Sequence, residues 1–198
     1  MCNMVILGDV LSIPIRNGLT KPSAIRGAGV KMIGMGELFA YGRIGDIPMD
    51  LVPVTDKELD MASIEVGDLL FARQSLVLEG AGQCSIVTEV NEPTVFESHL
   101  IRLRVDTEKI LPQFVYYYFN SYYGKESIKT IVEQVAAAGI RGKDLIKLPI
   151  PCPSLAEQKR IVDSVEILDK KIEINKQICQ NLNEQIKTIV TGKTVDRR

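Results

Sequence analysis

Few residues of this chain stand in arrangements that support catalysis. Thr191-Gly192-Lys193-Thr194 ends like a phosphate-binding P-loop, but that motif needs a glycine five positions before Gly192, where Lys187 stands, and a strand leading into it. The pairs Gly27/Gly29, Gly34/Gly36 and Gly80/Gly82 lack the third glycine of a dinucleotide fingerprint, since Met32, Phe39 and Ser85 occupy its place. His99 is the only histidine, and no nucleophile accompanies it in sequence for a general base to act on. Cys2, Cys84, Cys152 and Cys179 fall in no C-x-x-C spacing, so no metal site is expected.

The residues with usable chemistry are cationic and amide side chains. Arg16, Lys21, Arg26, Lys31 and Arg43 lie in a glycine-rich stretch whose only acidic residue is Glu37. Glycine lets a backbone approach closely, and guanidinium forks match phosphates and guanine edges, which is the chemistry of nucleic-acid contact. Solvated surface charge is the competing reading of the same residues. Arg73-Gln74, after an expected strand, and Arg141-Gly142-Lys143, at a glycine turn, add further base-reading groups. The tyrosines Tyr116, Tyr117, Tyr118, Tyr122 and Tyr123 could stack bases, but consecutive residues of a helix diverge, so at least two are expected in the core.

Positioning these groups falls to an α+β body, mixed and mostly antiparallel, expected over residues 1–147. Val5–Leu11 reads as a short strand or first helical turn, and the glycines at 18, 27, 29, 34, 36, 42 and 45 imply turns with short strands between them. An acidic stretch follows, with Asp46, Asp50, Asp56, Glu58, Asp60 and Glu65. Val66–Arg73 offers a turn and a buried strand; Cys84–Val90 and Leu100–Val105 read as two more. Pro112 opens an expected helix over Gln113–Tyr123, closed by Gly124, and a second spans Glu126–Val135. Leu148-Pro-Ile-Pro-Cys-Pro153 forces an extended, stiff connector, because each proline fixes its own φ and disfavours helix before it.

From 154 to 192 the chain reads as one long helix, with a tail over 193–198. Ser154 and Glu157 form an S-x-x-E capping box, and Gly192 stands where a C-terminal cap belongs. Ile161, Val165, Leu168, Ile172, Asn175, Cys179, Leu182, Ile186 and Ile189 follow steps of four and three, the seam of a coiled coil. At ~1.5 Å per residue the helix runs about 55 Å, too long for its whole apolar stripe to be covered by one small domain. A polar residue within a seam, here Asn175, fixes register and orientation. An amphipathic helix lying on its own domain is the competing reading; length and Asn175 favour a partner helix, and if two copies pair antiparallel the mid-helix position meets its mate near the two-fold axis.

Composition sets outer bounds. With 198 residues, 45% hydrophobic, the chain can bury one real core plus an appendage. Lys plus Arg (24) nearly cancel Asp plus Glu (25), so any nucleic-acid contact must be local or shared with a partner. Cysteine usage fits a reduced, cytoplasmic setting, and neither a bilayer-spanning run nor a signal peptide is found, so no membrane is expected.

Several of these segments occur together in one family. Gly8-Asp-Val10, Asn17-Gly-Leu-Thr-Lys-Pro-Ser23, Val66-Gly-Asp-Leu-Leu-Phe-Ala-Arg73, Ala138-Gly139 and above all Leu148-Pro-Ile-Pro-Cys-Pro-Ser-Leu-Ala-Glu-Gln-Lys-Arg-Ile-Val162 resemble the specificity subunit of prokaryotic type I DNA restriction-modification systems. The resemblance implies a target recognition domain that reads half of a bipartite double-stranded DNA site, and helices that hold two such domains apart. It implies no catalysis and no cofactor in this chain: S-adenosylmethionine and the adenine chemistry belong to modification (methyltransferase) subunits, and cleavage to restriction subunits. The family's usual subunit carries two recognition domains and two helices, whereas this sequence has one of each. A coiled-coil adaptor whose globular part binds protein is the alternative from another class, favoured by the acidic stretch.

Overall fold

The computed structural model describes residues 3–134 and 138–191. Strand β1 (Met4–Ile6) runs into a 3-10 turn at Leu7–Val10, followed by β2 (Arg16–Asn17), β3 (Val30–Ile33), helix α1 (Met35–Ala40), β4 (Arg43–Ile44), β5 (Asp50–Val52) and helix α2 (Asp56–Ala62). The middle of the chain holds β6 (Leu69–Ala72), β7 (Gln74–Ser75), β8 (Cys84–Val87), β9 (Thr94–Phe96) and β10 (Leu100–Leu103). Helices α3 (Pro112–Asn120) and α4 (Tyr122–Lys129), strands β11 (Glu133–Gln134) and β12 (Ala138–Gly139), helix α5 (Gly142–Leu145), β13 (Pro149–Pro151) and helix α6 (Leu155–Thr191) follow. The chain divides into two compact units, one ending at Gln158 and the other beginning at Lys159.

The central sheet has the order β2-β10-β6-β8-β4, antiparallel throughout except for the parallel pair β4–β8. A second sheet, β5-β3-β9, contains one parallel pair, β3–β9. The fold is thus α+β and mostly antiparallel, as the sequence implies. Strands β6, β8 and β10 are buried at every position because both of their faces are covered, Ser85 and Arg102 included. Successive side chains point to opposite faces: Leu70, Ala72, Val87 and Leu100 join Met32, Ile33, Leu38 and Phe96 in one cluster, while Phe71 meets Phe119 of α3 edge to face, ring centres 5.1 Å apart. Truncating so buried a phenylalanine to alanine costs about 3–5 kcal/mol.

Several elements differ from expectation for identifiable reasons. The helix expected over Gln113–Tyr123 breaks at Ser121, whose hydroxyl accepts from the Gly124 amide (3.3 Å) and donates to the Tyr118 carbonyl (2.6 Å), capping a new helix. Gly124 is therefore inside α4 rather than at a helix exit; a Cβ there would sit 2.0 Å from the Tyr118 carbonyl oxygen. The second expected helix, Glu126–Val135, is replaced by α4, which ends at Lys129; Val135 lies outside the described residues. Helix α1 lies where only turns and short strands are expected, and α2 starts on a true capping box in which Thr55 Oγ1 accepts from the Glu58 amide and Glu58 Oε2 from the Thr55 amide. Arg141-Gly142-Lys143 enters a helical turn, α5.

The tyrosines are not core residues. The buried positions of α3 are Pro112, Phe114, Val115 and Phe119; Tyr116, Tyr117 and Tyr118 are half-buried, and Tyr122 and Tyr123 are exposed. The phenylalanines satisfy the core, which leaves the hydroxyl-bearing rings at the boundary with water.

The proline segment is extended but not free. Its residues 149–151 form β13, paired antiparallel with β1 in the register Val5↔Ile150. The Leu7 amide donates to the Leu148 carbonyl (3.0 Å) and the Cys152 amide to the Asn3 carbonyl (2.7 Å), which puts the ladder bonds on every second residue and leaves Pro149 and Pro151 facing away from the partner strand. The next turn is anchored by Gln158, fully buried: its Oε1 accepts from the Leu111 amide (2.7 Å), and its Nε2 donates to the carbonyls of Pro153 (2.9 Å) and Lys109 (3.2 Å).

Candidate nucleic-acid interface

The folded body sorts the candidate cations into two groups. In the first, the acidic stretch folds back onto the glycine-rich one. Lys21 pairs with Glu58 (2.8 Å), Arg26 with Asp50 (2.7 Å), and Lys31 with both Glu92 (2.8 Å) and Asp46 (2.9 Å). Hydrogen bonds from Lys21, and then from the Thr55 amide, hold the Glu58 carboxyl down at about 2. Those to Glu92 and Asp46 raise the Lys31 ammonium above its ordinary value. Chain approach is close here: a Cβ on Gly18 would stand 2.0 Å from the Phe96 carbonyl oxygen, and Gly29, at φ +112°, lies against the Val52 carbonyl. These three cations balance acidic neighbours, so their basic field is largely cancelled.

Arg16 and Arg43 also have partners in the protein. Arg16 donates to the Met61 carbonyl (3.4 Å), and Arg102, directly opposite it on β10, donates to the Ser63 carbonyl (2.6 Å), so two guanidinium groups meet the C-terminal end of α2. Burial lowers the Arg102 pKa, and its Nε has no partner among the described residues. Arg43 is bonded to the Tyr117 hydroxyl and lies 5.5 Å and 5.8 Å from the ring centres of Tyr117 and Tyr116.

The second group is assembled by tertiary structure. Strands β6 and β8 are antiparallel neighbours, yet the chain between them, 73–83, makes a long excursion that begins with Arg73-Gln74 and contributes β7 to a sheet of order β11-β12-β7. Gly139 lies opposite Gln74 and Ala138 opposite Ser75. The Arg73 carbonyl accepts from the Ile140 amide (2.9 Å), and the Arg73 amide donates to the His99 carbonyl (2.8 Å). Backbone bonds thus bring Arg73, Gln74 and His99 beside the segment that leads into Arg141 and Lys143. The Arg73 guanidinium donates to the Ser98 carbonyl (3.3 Å), and Arg141 pairs with Glu133 (2.5 Å). Gln74 and Lys143 are exposed. Among the described residues no carboxylate lies within ion-pairing distance of Arg73 or Lys143.

Sequence reasoning missed what this excursion carries at its tip, Leu76 and Val77, both exposed. The available signal was an interval between two pairing strands far longer than a tight hairpin needs. His99 lines a hollow with Met35 and Phe39, and no group of three or more His, Cys, Asp or Glu side chains able to hold a metal occurs among the described residues.

At the start of α6 the Ser154 hydroxyl accepts from the Glu157 amide (3.3 Å); the seam beyond it lies in the C-terminal unit, from Lys159 on. Ile161, Leu168, Ile172, Asn175, Cys179, Leu182 and Ile186 are exposed and Val165 is half-buried. Ile167, Ile174 and Ile178, outside the seam, are also exposed. Gly192, the tail and the Ile189 side chain lie outside the described residues. No described helix is long and apolar enough to cross a membrane.

The family model for the type I restriction modification DNA specificity domain matches residues 3–184. The chain belongs to that family. It is 25% identical over 165 residues to the MjaVIII specificity subunit of Methanocaldococcus jannaschii, an alignment covering 81% of this chain and 38% of the relative. To the EcoKI specificity subunit of Escherichia coli it is 28% identical over 156 residues, 78% of this chain and 33% of that one. Among solved structures, a chain of a type I R-M system superposes with a TM-score of 0.67 at 19% identity, covering 94% of this chain and 43% of that one. The HsdS subunit from Thermoanaerobacter tengcongensis gives 0.61 at 21% identity, with 89% and 39% covered. The fold is shared with these subunits, and the chain spans about two fifths of their length.

Proposed function

We propose that this chain is a non-catalytic specificity element that reads one half of a bipartite double-stranded DNA site, and that two copies pair antiparallel through the α6 seam. The observation that carries the reading is the exposed heptad stripe of α6 on a chain of the specificity family. The same stripe on a second copy of the chain covers it. The pair places identical recognition units in inverted orientation and docks methyltransferase subunits, which bring S-adenosylmethionine and the adenine chemistry, and with them restriction subunits. The setting is the prokaryotic cytoplasm.

A helix of 37 residues is about 55 Å long, roughly one and a half turns of duplex, so the two half-site centres lie about that far apart or somewhat closer. Arg73, Gln74 and Lys143 carry the readout; Arg141, paired with Glu133, and Arg16, Lys21, Arg26, Lys31 and Arg43 shape and position the surface. Light scattering at micromolar concentration tests the pairing and should give the mass of a dimer; a monomer refutes it. Methylation mapping in cells carrying the complete system should return an inverted-repeat motif with a fixed gap, and an asymmetric motif refutes self-pairing.

A further inference from the structure

The tip of the 73–83 excursion carries a side chain that folding does not use. Leu76 is 99% exposed and Val77 59%. They border a hollow of about 510 Å³ lined also by Met35, Phe39, Gln74 and His99. An apolar tip held in water on a long loop beside exposed polar groups marks a contact surface. Its flank is the set just described: Arg73 and Lys143, with no carboxylate partner among the described residues, and the exposed amide of Gln74. A polyanion complements that flank. Of the groups a duplex presents in its major groove, the apolar one is the thymine 5-methyl, and the same base pair offers an adenine N6/N7 edge that matches a glutamine amide.

We propose that Leu76 and Val77 seat the 5-methyl of a thymine in each half-site, in an A·T pair whose adenine edge is read by Gln74. This rests on the DNA-reading function proposed above. The test uses the full chain and a random 40-bp duplex pool: after selection, the enriched duplex is resynthesised with deoxyuridine at each thymine in turn, which removes only the methyl. Taking ~0.8 kcal/mol per buried methyl-sized group, one position per half-site should weaken binding by about fourfold, and both positions together by about fifteenfold. Leu76→Ala, at a fully exposed site, should fold normally, bind the thymine duplex more weakly and lose the uracil sensitivity. An enriched inverted motif with no uracil-sensitive position, or sensitivity that persists in Leu76→Ala, overturns this proposal while leaving the DNA reader intact. If Leu76→Ala instead leaves DNA binding unchanged and loses a co-purifying methyltransferase subunit, the tip is a protein contact and the proposal fails. A pool without any enriched motif overturns both readings.

Discussion

Replacing Gln158 tests whether a single buried amide locks the start of α6 into the body. Its carboxamide is fully buried and makes three bonds, to the Leu111 amide (2.7 Å) and the carbonyls of Pro153 (2.9 Å) and Lys109 (3.2 Å). Gln158→Ala deletes all three and leaves the Leu111 N–H without that acceptor. The two bonds to carbonyls are worth about 1 kcal/mol each, and stranding the buried Leu111 donor costs about 1–3 kcal/mol, so the loss should be about 3–5 kcal/mol. For a chain of this size that lowers Tm by roughly 6–20 °C. Gln158→Glu keeps the shape but turns the donor into an acceptor facing two carbonyls. A buried carboxylate there favours its protonated form, so the folded pKa lies above the unfolded one. Gln158→Glu is therefore most harmful above that folded value, at neutral pH, and recovers stability as pH falls through it toward 4. Urea unfolding by circular dichroism at fixed protein concentration measures both variants. A Gln158→Ala protein within about 0.5 kcal/mol of the original would refute the anchoring role.

Leu168→Asp places a charge in the apolar seam; light scattering should show monomers with the circular dichroism of the folded body retained, whereas intact dimers would move the interface to another face. Arg73→Ala should weaken specific duplex binding by about tenfold or more, the loss of one good bidentate or phosphate contact, with Tm unchanged. Arg43→Ala should instead cost about 1 kcal/mol of stability, because its guanidinium rests on Tyr116 and Tyr117; a binding defect at normal Tm would reassign it to DNA. Glu58 carries a pKa held at about 2, below its ordinary 4.5. A depressed carboxylate stabilises the fold above its unfolded pKa and loses that effect as pH falls through the folded one. The stability gap between the original and Glu58→Gln should therefore be constant at neutral pH and close between about pH 4.5 and 2; a gap independent of pH would show that Glu58 is not held by charge.

What could be read along the chain depended on local, periodic physics. The α6 seam from Ile161 to Ile186, the Ser154 cap, the buried runs Leu69–Ala72 and Leu100–Leu103, and the prolines at alternate positions of 148–153 each carry their explanation within a few residues. Helix period, end-capping and proline's fixed φ act at that range. Family membership was legible in the same segments. Short elements such as α1 and α2, for which the sequence reading has no helix, and the α3–α4 break at Ser121 are not legible there, because one cap or one packing contact decides them.

The candidate site depended on contacts that sequence order hides. Lys21, Arg26 and Lys31 look like a basic patch until Glu58, Asp50, Asp46 and Glu92 fold against them, since Coulomb attraction acts across space rather than along the chain. Arg73-Gln74 and the segment 138–140 stand far apart in sequence, yet backbone bonds join them and so bring in the turn that follows, with Lys143. The covalent order of residues determined the strands, the long helix and its stripe. Only tertiary pairing decided which cations are neutralised inside the protein and which remain available to a polyanion.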